Sequence, residues 1–128
     1  MKPVCLITGV GPEHGTGAEL ARRFSTDYRV ALLARNAENI EDLAARYDGR
    51  AYPCDVGDLD ALTDTMDRIK AEMGAPKIVI HNAPRATRGP LLEQDPAELE
   101  QNFRVNTTAL LYMAQHTIPG MLDMGGGA

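Results

Sequence analysis

Four glycines, Gly9, Gly11, Gly15 and Gly17, crowd the stretch "ITGVGPEHGTGAEL" between an apolar run and a helical one. Glycines that open a helix suit one kind of chemistry. They bend the chain sharply, let a phosphate approach the backbone, and let the helix pack close to the preceding strand. The helix N-terminus adds free N–H groups and the positive end of its dipole. The pattern reads as a seat for a pyrophosphate, with a plain strand-to-helix turn as the alternative. A P-loop is disfavoured, because no phosphate-binding lysine follows the glycines.

Other side chains carry chemistry of their own. The Arg35 guanidinium can hold a phosphate through paired, charge-assisted bonds, with a solvent-facing arginine as the alternative. His14 and Asn36 could assist it, although an exposed loop histidine is the plainer reading of His14. His81 reads as a packed, hydrogen-bonded histidine rather than a base. His116, near a helix C-terminus, is accounted for by the helix dipole. Cys5 and Cys54 form no CxxC pair and no metal-like cluster, so both read as small buried hydrophobes, and no metal site is expected.

The elements that must position these residues alternate. Apolar runs at 3–8, 29–34, 50–54 and 77–82 read as buried strands. Helical patterns fall at 16–26 and 37–47. Another follows the stripe Leu59, Leu62, Met66, Ile69 and Met73, with Asp58 as N-cap and Gly74 as its stop. A last long helix runs from about Ala97 to Pro119 or just beyond. On it Leu99, Phe103, Leu110 and Met113 make an apolar stripe that includes Asn106. An amide facing the core is costly unless bonded, so structure, water or mechanism must satisfy it.

The order β-α-β-α-β-α-β-α predicts an α/β fold: a Rossmann-type, doubly wound parallel sheet with helices on both faces and strand order 3-2-1-4. The second strand then lies between the first and third and keeps Cys5 from Cys54. Ligands bind beyond the strands' carboxyl ends, where the glycines lie. At the end of strand two an acid commonly meets the ribose of an unphosphorylated dinucleotide. Here Ala34 and Arg35 stand there, and no acid follows until Glu38. NADP(H) is therefore expected over NAD(H).

A family resemblance rests on four motifs. "TG" after strand one, then "GTG" opening the helix, is similar to the TGxxxGxG signature of short-chain dehydrogenases/reductases. "CDV" (54–56) resembles the Asp-Val or Asp-Leu after their third strand, and "HNAP" (81–84) resembles the NNAG after their fourth. "NFRVN" (102–106) resembles the helix motif whose last Asn belongs to their catalytic tetrad. Asn82 and Asn106 lie 24 positions apart, the family's usual distance.

The resemblance covers essentially the whole chain and implies residue roles. Gly9, Gly11, Gly15, Thr16 and Gly17 would form the pyrophosphate turn. Asp55 would accept a bond from the adenine amino group, although it could instead cap the helix that Asp58 already caps. Val56 would pack on the adenine. Asn82, Ala83 and Pro84 would line the ribose and nicotinamide side. Asn106 would be catalytic, holding a water in a proton relay from a local helix distortion.

Two departures stand out. Counted from Gly9, the glycine loop is two residues longer than the common form. Either Gly11 takes the first-glycine role, or the strand end is extended, or the loop bulges and brings His14 toward the adenosine phosphate. Such a loop resembles the divergent enoyl-reductase branch, which usually lacks the glycine pair. The second departure is Pro84 in place of glycine, which removes an N–H and biases Ala83 to extended backbone.

In that family a Ser and a Tyr-x-x-x-Lys follow on later elements, and no Tyr-x-x-x-Lys occurs in this sequence. Tyr28, Tyr47, Tyr52 and Tyr112 each lack a lysine four positions on. The 128 residues are expected to be the N-terminal part of one dinucleotide-binding domain, ending before the fifth strand and inactive alone. The alternatives are a non-catalytic nucleotide-binding or interaction module, and, more weakly, an adenosyl-methionine methyltransferase. A small carbonyl or alcohol substrate and a homo-oligomer through the last helix are implied by the resemblance. Composition agrees with an ordinary globular domain, 44% hydrophobic and 24% charged. The net charge of -5 disfavours nucleic acid and anionic membranes as partners. No apolar run is long enough for a membrane span or signal peptide, so a cytoplasmic protein is expected.

Overall fold

The computed structural model describes residues 1–128 except Ala37 and Asn39. Four strands, β1 (Val4–Ile7), β2 (Arg29–Ala34), β3 (Arg50–Pro53) and β4 (Pro76–Ile80), pair in parallel in the order β3-β2-β1-β4. This is the expected Rossmann-type order. Register sets Cys5 opposite Val30 and Ile78, and Ile7 opposite Leu32 and Ile80, so the apolar runs stack across the sheet.

The helices are α1 (Thr16–Phe24), α2 (Glu41–Arg46), α3 (Leu59–Glu72), α4 (Pro96–Phe103) and α5 (Ala109–Asp123). A short 3-10 turn covers Leu91–Glu93, and a π-helical turn, Arg104–Thr108, joins α4 to α5. Strand side chains alternate between faces. Val4, Leu6, Leu33 and Tyr52 pack with Leu62, Ile69 and Met113 from α3 and α5. Cys5, Ile7, Val30 and Leu32 pack with Ala18, Ala21, Leu43 and Ala44 from α1 and α2. The two cysteines are buried in opposite layers, with β2 between their strands. Burial pushes the Cys5 thiol up to about 12.

Local chemistry sets the element ends. Asp58 caps α3, its carboxylate accepting from the Ala61 N–H at 3.1 Å. Gly74, at φ +106°, closes it with N–H bonds back to Ile69 and Lys70. The helix expected over 16–26 stops at Phe24. The one expected over 37–47 is helical only from Glu41 to Arg46, and Ala37 and Asn39 lie outside the described residues. The Asn36 side chain accepts from the Glu38 N–H at 3.0 Å.

The last helix departs most from expectation. Leu99, Phe103 and Leu110 are exposed, at 70%, 62% and 47%, and only Met113 of the expected stripe is buried. The inward face is instead Val105, Ala109, Met113, Thr117 and Met121. α4, which carries Leu99 and Phe103, buries none of its residues, so two members of the expected stripe are exposed before the π turn begins. Asn106 is exposed and does not face the core.

Beyond α5 the chain returns to the sheet. The Ala128 N–H donates to the Lys77 carbonyl at 3.1 Å, and the Val79 N–H donates to the Ala128 carbonyl at 2.8 Å. That is a parallel bridge on the outer edge of β4. Among the described residues no helix is long and apolar enough to cross a membrane.

Candidate functional site

The carboxyl ends of all four strands open on one cavity of about 260 Å³, at the switch point between β1 and β4. Its β1 wall is made by Gly9 and Val10. Gly9 sits at φ +67°, and a Cβ there would stand 2.3 Å from the Asn82 carbonyl oxygen. Only glycine lets the ends of β1 and β4 come this close. Gly17 plays the matching part in α1, where a Cβ would lie 2.8 Å from the Gly9 oxygen and the Val10 Cα. A Cβ on Gly11 would meet nothing within 4 Å. The left-handed turn therefore belongs to Gly9.

The added loop length has two destinations. Val10 donates to the Leu33 carbonyl at 3.1 Å, which carries the β1–β2 pairing past Gly9. Pro12 to Gly15 then close a turn, with the Gly15 N–H on the Pro12 carbonyl at 2.8 Å. The turn points outward, because Glu13 pairs with Arg46 of α2 at 2.5 Å. That guanidinium holds the Glu13 carboxyl below its usual range. His14 is exposed on this turn and is not among the residues that line the cavity. At Gly15, the N-cap of α1, no side-chain oxygen answers the helix N–H groups. Thr16 is exposed beside it.

The β2 and β3 ends supply the opposite wall. Arg35 is exposed on the rim, with Ala34 before it, and among the described residues no carboxylate from the end of β2 lines the cavity. Asn36 has its side-chain oxygen turned to the Glu38 N–H. Asp55 lines the cavity and accepts from the Gly57 N–H at 2.9 Å, so one carboxylate oxygen shapes the turn while Asp58 caps α3. Val56 is buried against the same space.

At the β4 end, Asn82 donates from its side chain to the Gly9 carbonyl at 3.2 Å. The Asn82 and Ala83 N–H groups both reach the buried Thr8 hydroxyl, at 3.0 and 3.3 Å. His81 bonds at both ring nitrogens, as expected of a packed histidine. Ala83 and Pro84 line the cavity. Asn106, in the π turn, grips the backbone of Arg85 twice. Its oxygen accepts from the Arg85 N–H at 2.8 Å, and its nitrogen donates to the Arg85 carbonyl at 2.7 Å. The amide is thus satisfied by the loop after β4.

Three contributors were not legible from local pattern. Thr8 is the hydroxyl on which the β4 turn hangs. The Arg85 side chain lines the cavity and is fixed to Glu98 at 2.7 Å and to Asn102 at 2.5 Å. Gln101 lines the cavity from α4, close enough to Gly57 that a Cβ there would lie 2.7 Å from its amide nitrogen. The Thr of "TG" and a charged residue directly after "HNAP" were the visible signals among them. Among the described residues no group of His, Cys, Asp or Glu is placed to hold a metal ion.

A parallel 3-2-1-4 sheet with a glycine turn at its switch point defines a Rossmann-type domain. The family profile described as Enoyl-(Acyl carrier protein) reductase matches residues 9–128. D-threitol dehydrogenase of Mycolicibacterium smegmatis is 32% identical over 131 residues, covering 98% of this chain and 50% of that protein. A metagenomic short-chain oxidoreductase solved in complex with NADP superposes with a TM-score of 0.88 at 26% identity, over 98% of this chain and 59% of that one. A short-chain dehydrogenase from Sphingobium yanoikuyae in complex with NADPH gives 0.84 at 30% identity, over 98% and 50%. The chain belongs to the short-chain dehydrogenase/reductase family of oxidoreductases. It spans about half the length of the curated relatives it matches, for instance 50% and 47% of the first two.

Proposed function

We propose that residues 1–128 are the cofactor-binding part of an NADP(H)-dependent oxidoreductase acting on a small carbonyl or alcohol. The carrying observation is Arg35, a cation on the rim of the cavity at the β2 end, where no carboxylate among the described residues competes for a ribose hydroxyl. The structure also offers a fit to the dinucleotide. The α1 N-terminus has no side-chain cap, and Gly17 lets α1 pack close against the Gly9–Val10 backbone at the end of β1.

When bound, the nicotinamide would supply the hydride-transfer chemistry, giving hydride to a carbonyl or taking it from an alcohol. The chain's own residues bind and orient. The α1 N–H groups would take the pyrophosphate, and Arg35 the 2′-phosphate. The second oxygen of Asp55 would accept from the adenine amino group, with Val56 against the ring. Asn82 and Ala83 would border the ribose and nicotinamide side, and Asn106 would fix the loop that carries Arg85. No Tyr-x-x-x-Lys lies within these residues, so they are expected to bind cofactor without turning over substrate. NADP and NADPH in the two similar structures support the cofactor assignment. The description of the matching profile supports a second reading, reduction of a C=C bond. The exposed Leu99, Phe103 and Leu110 support association through α4 and α5.

Titrating the chain with NADPH and with NADH, followed by cofactor fluorescence, tests the reading. Saturable NADPH binding tighter than NADH is expected. Binding of neither, or of NADH preferentially, would sink it.

A further inference from the structure

We propose that His81 is a positioning residue that holds the π-helical turn carrying Asn106 against the end of β1, and that it does so as one tautomer, neutral with its proton on Nε2. The inference deepens the reading above, since Asn82 and Asn106 belong to the proposed crevice, but it is tested without cofactor.

Two independent ends of the network demand the same tautomer. At one end, His81 Nε2 lies 2.8 Å from the Val105 carbonyl oxygen. A carbonyl only accepts, so Nε2 must carry a proton. At the other end, His81 Nδ1 lies 2.9 Å from the Thr8 hydroxyl. That oxygen already accepts from the Asn82 and Ala83 N–H groups, at 3.0 and 3.3 Å. Both its lone pairs are engaged, and what remains is its proton, which goes to an unprotonated Nδ1. A proton on Nδ1 would face a hydroxyl with nothing left to accept it.

The Val105 carbonyl is a meaningful target. In an α-helix its donor would be the Ala109 N–H. Here that N–H bonds to Arg104 instead, in the i→i−5 pattern of the π turn. His81 supplies a donor to the carbonyl whose helical partner has been diverted. One residue further on, Asn106 leaves the turn to hold the Arg85 backbone on both sides. Thr8, His81 and Val105 thus form a strut from β1, through the end of β4, to the turn that aims Asn106. The imidazole fits because its two nitrogens reach in different directions with opposite roles, one accepting and one donating.

The test uses nitrogen-15 NMR on the ligand-free 128-residue chain, with two variants. In the parent chain His81 should show a proton on Nε2 and an acceptor signal at Nδ1. A ring protonated on Nδ1, or one averaging between tautomers, overturns the proposal. His81→Gln keeps a donor at the reach of Nε2, whereas His81→Asn keeps an acceptor near Nδ1 and no donor toward Val105. Hydrogen exchange of the Arg85 amide, which Asn106 protects, should speed up about tenfold in His81→Asn and stay within about threefold of the parent in His81→Gln. Equal acceleration in both variants, or none in His81→Asn, contradicts the strut. The tautomer measurement needs only the parent chain and stands if a variant does not fold.

Discussion

A methyl group on Gly9 would meet the Asn82 carbonyl oxygen at 2.3 Å from a backbone already at φ +67°, whereas one on Gly11 would meet open space. The two glycines are two residues apart and chemically identical, so the sequence offered both for the first role in the turn. Spacing to Gly15 and Gly17 even favoured Gly11 in the GxxxGxG count. What separates them is the approach of β4, which no local pattern encodes. Gly9→Ala should therefore cost several kcal/mol, roughly 3 or more, or prevent folding. Gly11→Ala should stay within about 0.5 kcal/mol of the parent. Urea unfolding of both variants measures the difference. Equal costs would return the turn to Gly11. Arg85 teaches the same lesson, because its backbone matters through Asn106, which lies on a different element.

Elements were legible where one chemistry governs them. The four strands were visible as short apolar runs, and α3 as a continuous stripe between a cap and a stopping glycine. Asp58 fills the role its position announced, so Asp58→Ala should lower stability by about 1 kcal/mol. Thermal or urea unfolding would detect the loss, and an unchanged midpoint would show that the cap contributes nothing. The last helix was legible in extent but not in face. The π turn at Arg104–Thr108 has no composition of its own to mark it in the sequence. Periodicity placed Asn106 inward on the face of Leu99 and Phe103, but that face is itself exposed, and Asn106 lies outward with it. The resemblance anticipated a distortion at that motif, while the physical reading of the stripe did not. α2 is shorter than its run of helix formers suggested, helical only from Glu41 to Arg46.

At the scale of the molecule, the alternation of strands and helices was enough to give the sheet order, because right-handed crossovers leave few arrangements. The surface was less legible, since Leu99, Phe103 and Leu110 read as core and lie exposed. If α4 and α5 form the proposed interface, the paired substitution Phe103→Glu and Leu110→Glu should convert an oligomer to a monomer in sedimentation while NADPH binding persists. A parent chain that is already monomeric would remove that face from consideration. If the proposed reading holds, the crevice prefers a phosphorylated cofactor because of the Arg35 guanidinium at the end of β2. The most direct measurement compares NADPH and NADH affinity in the parent chain and in Arg35→Ala. Loss of a charge-assisted phosphate contact should weaken NADPH binding by about 10- to 100-fold and leave NADH within about twofold. An NADPH affinity untouched by the substitution, or no preference for NADPH in the parent chain, would contradict the account.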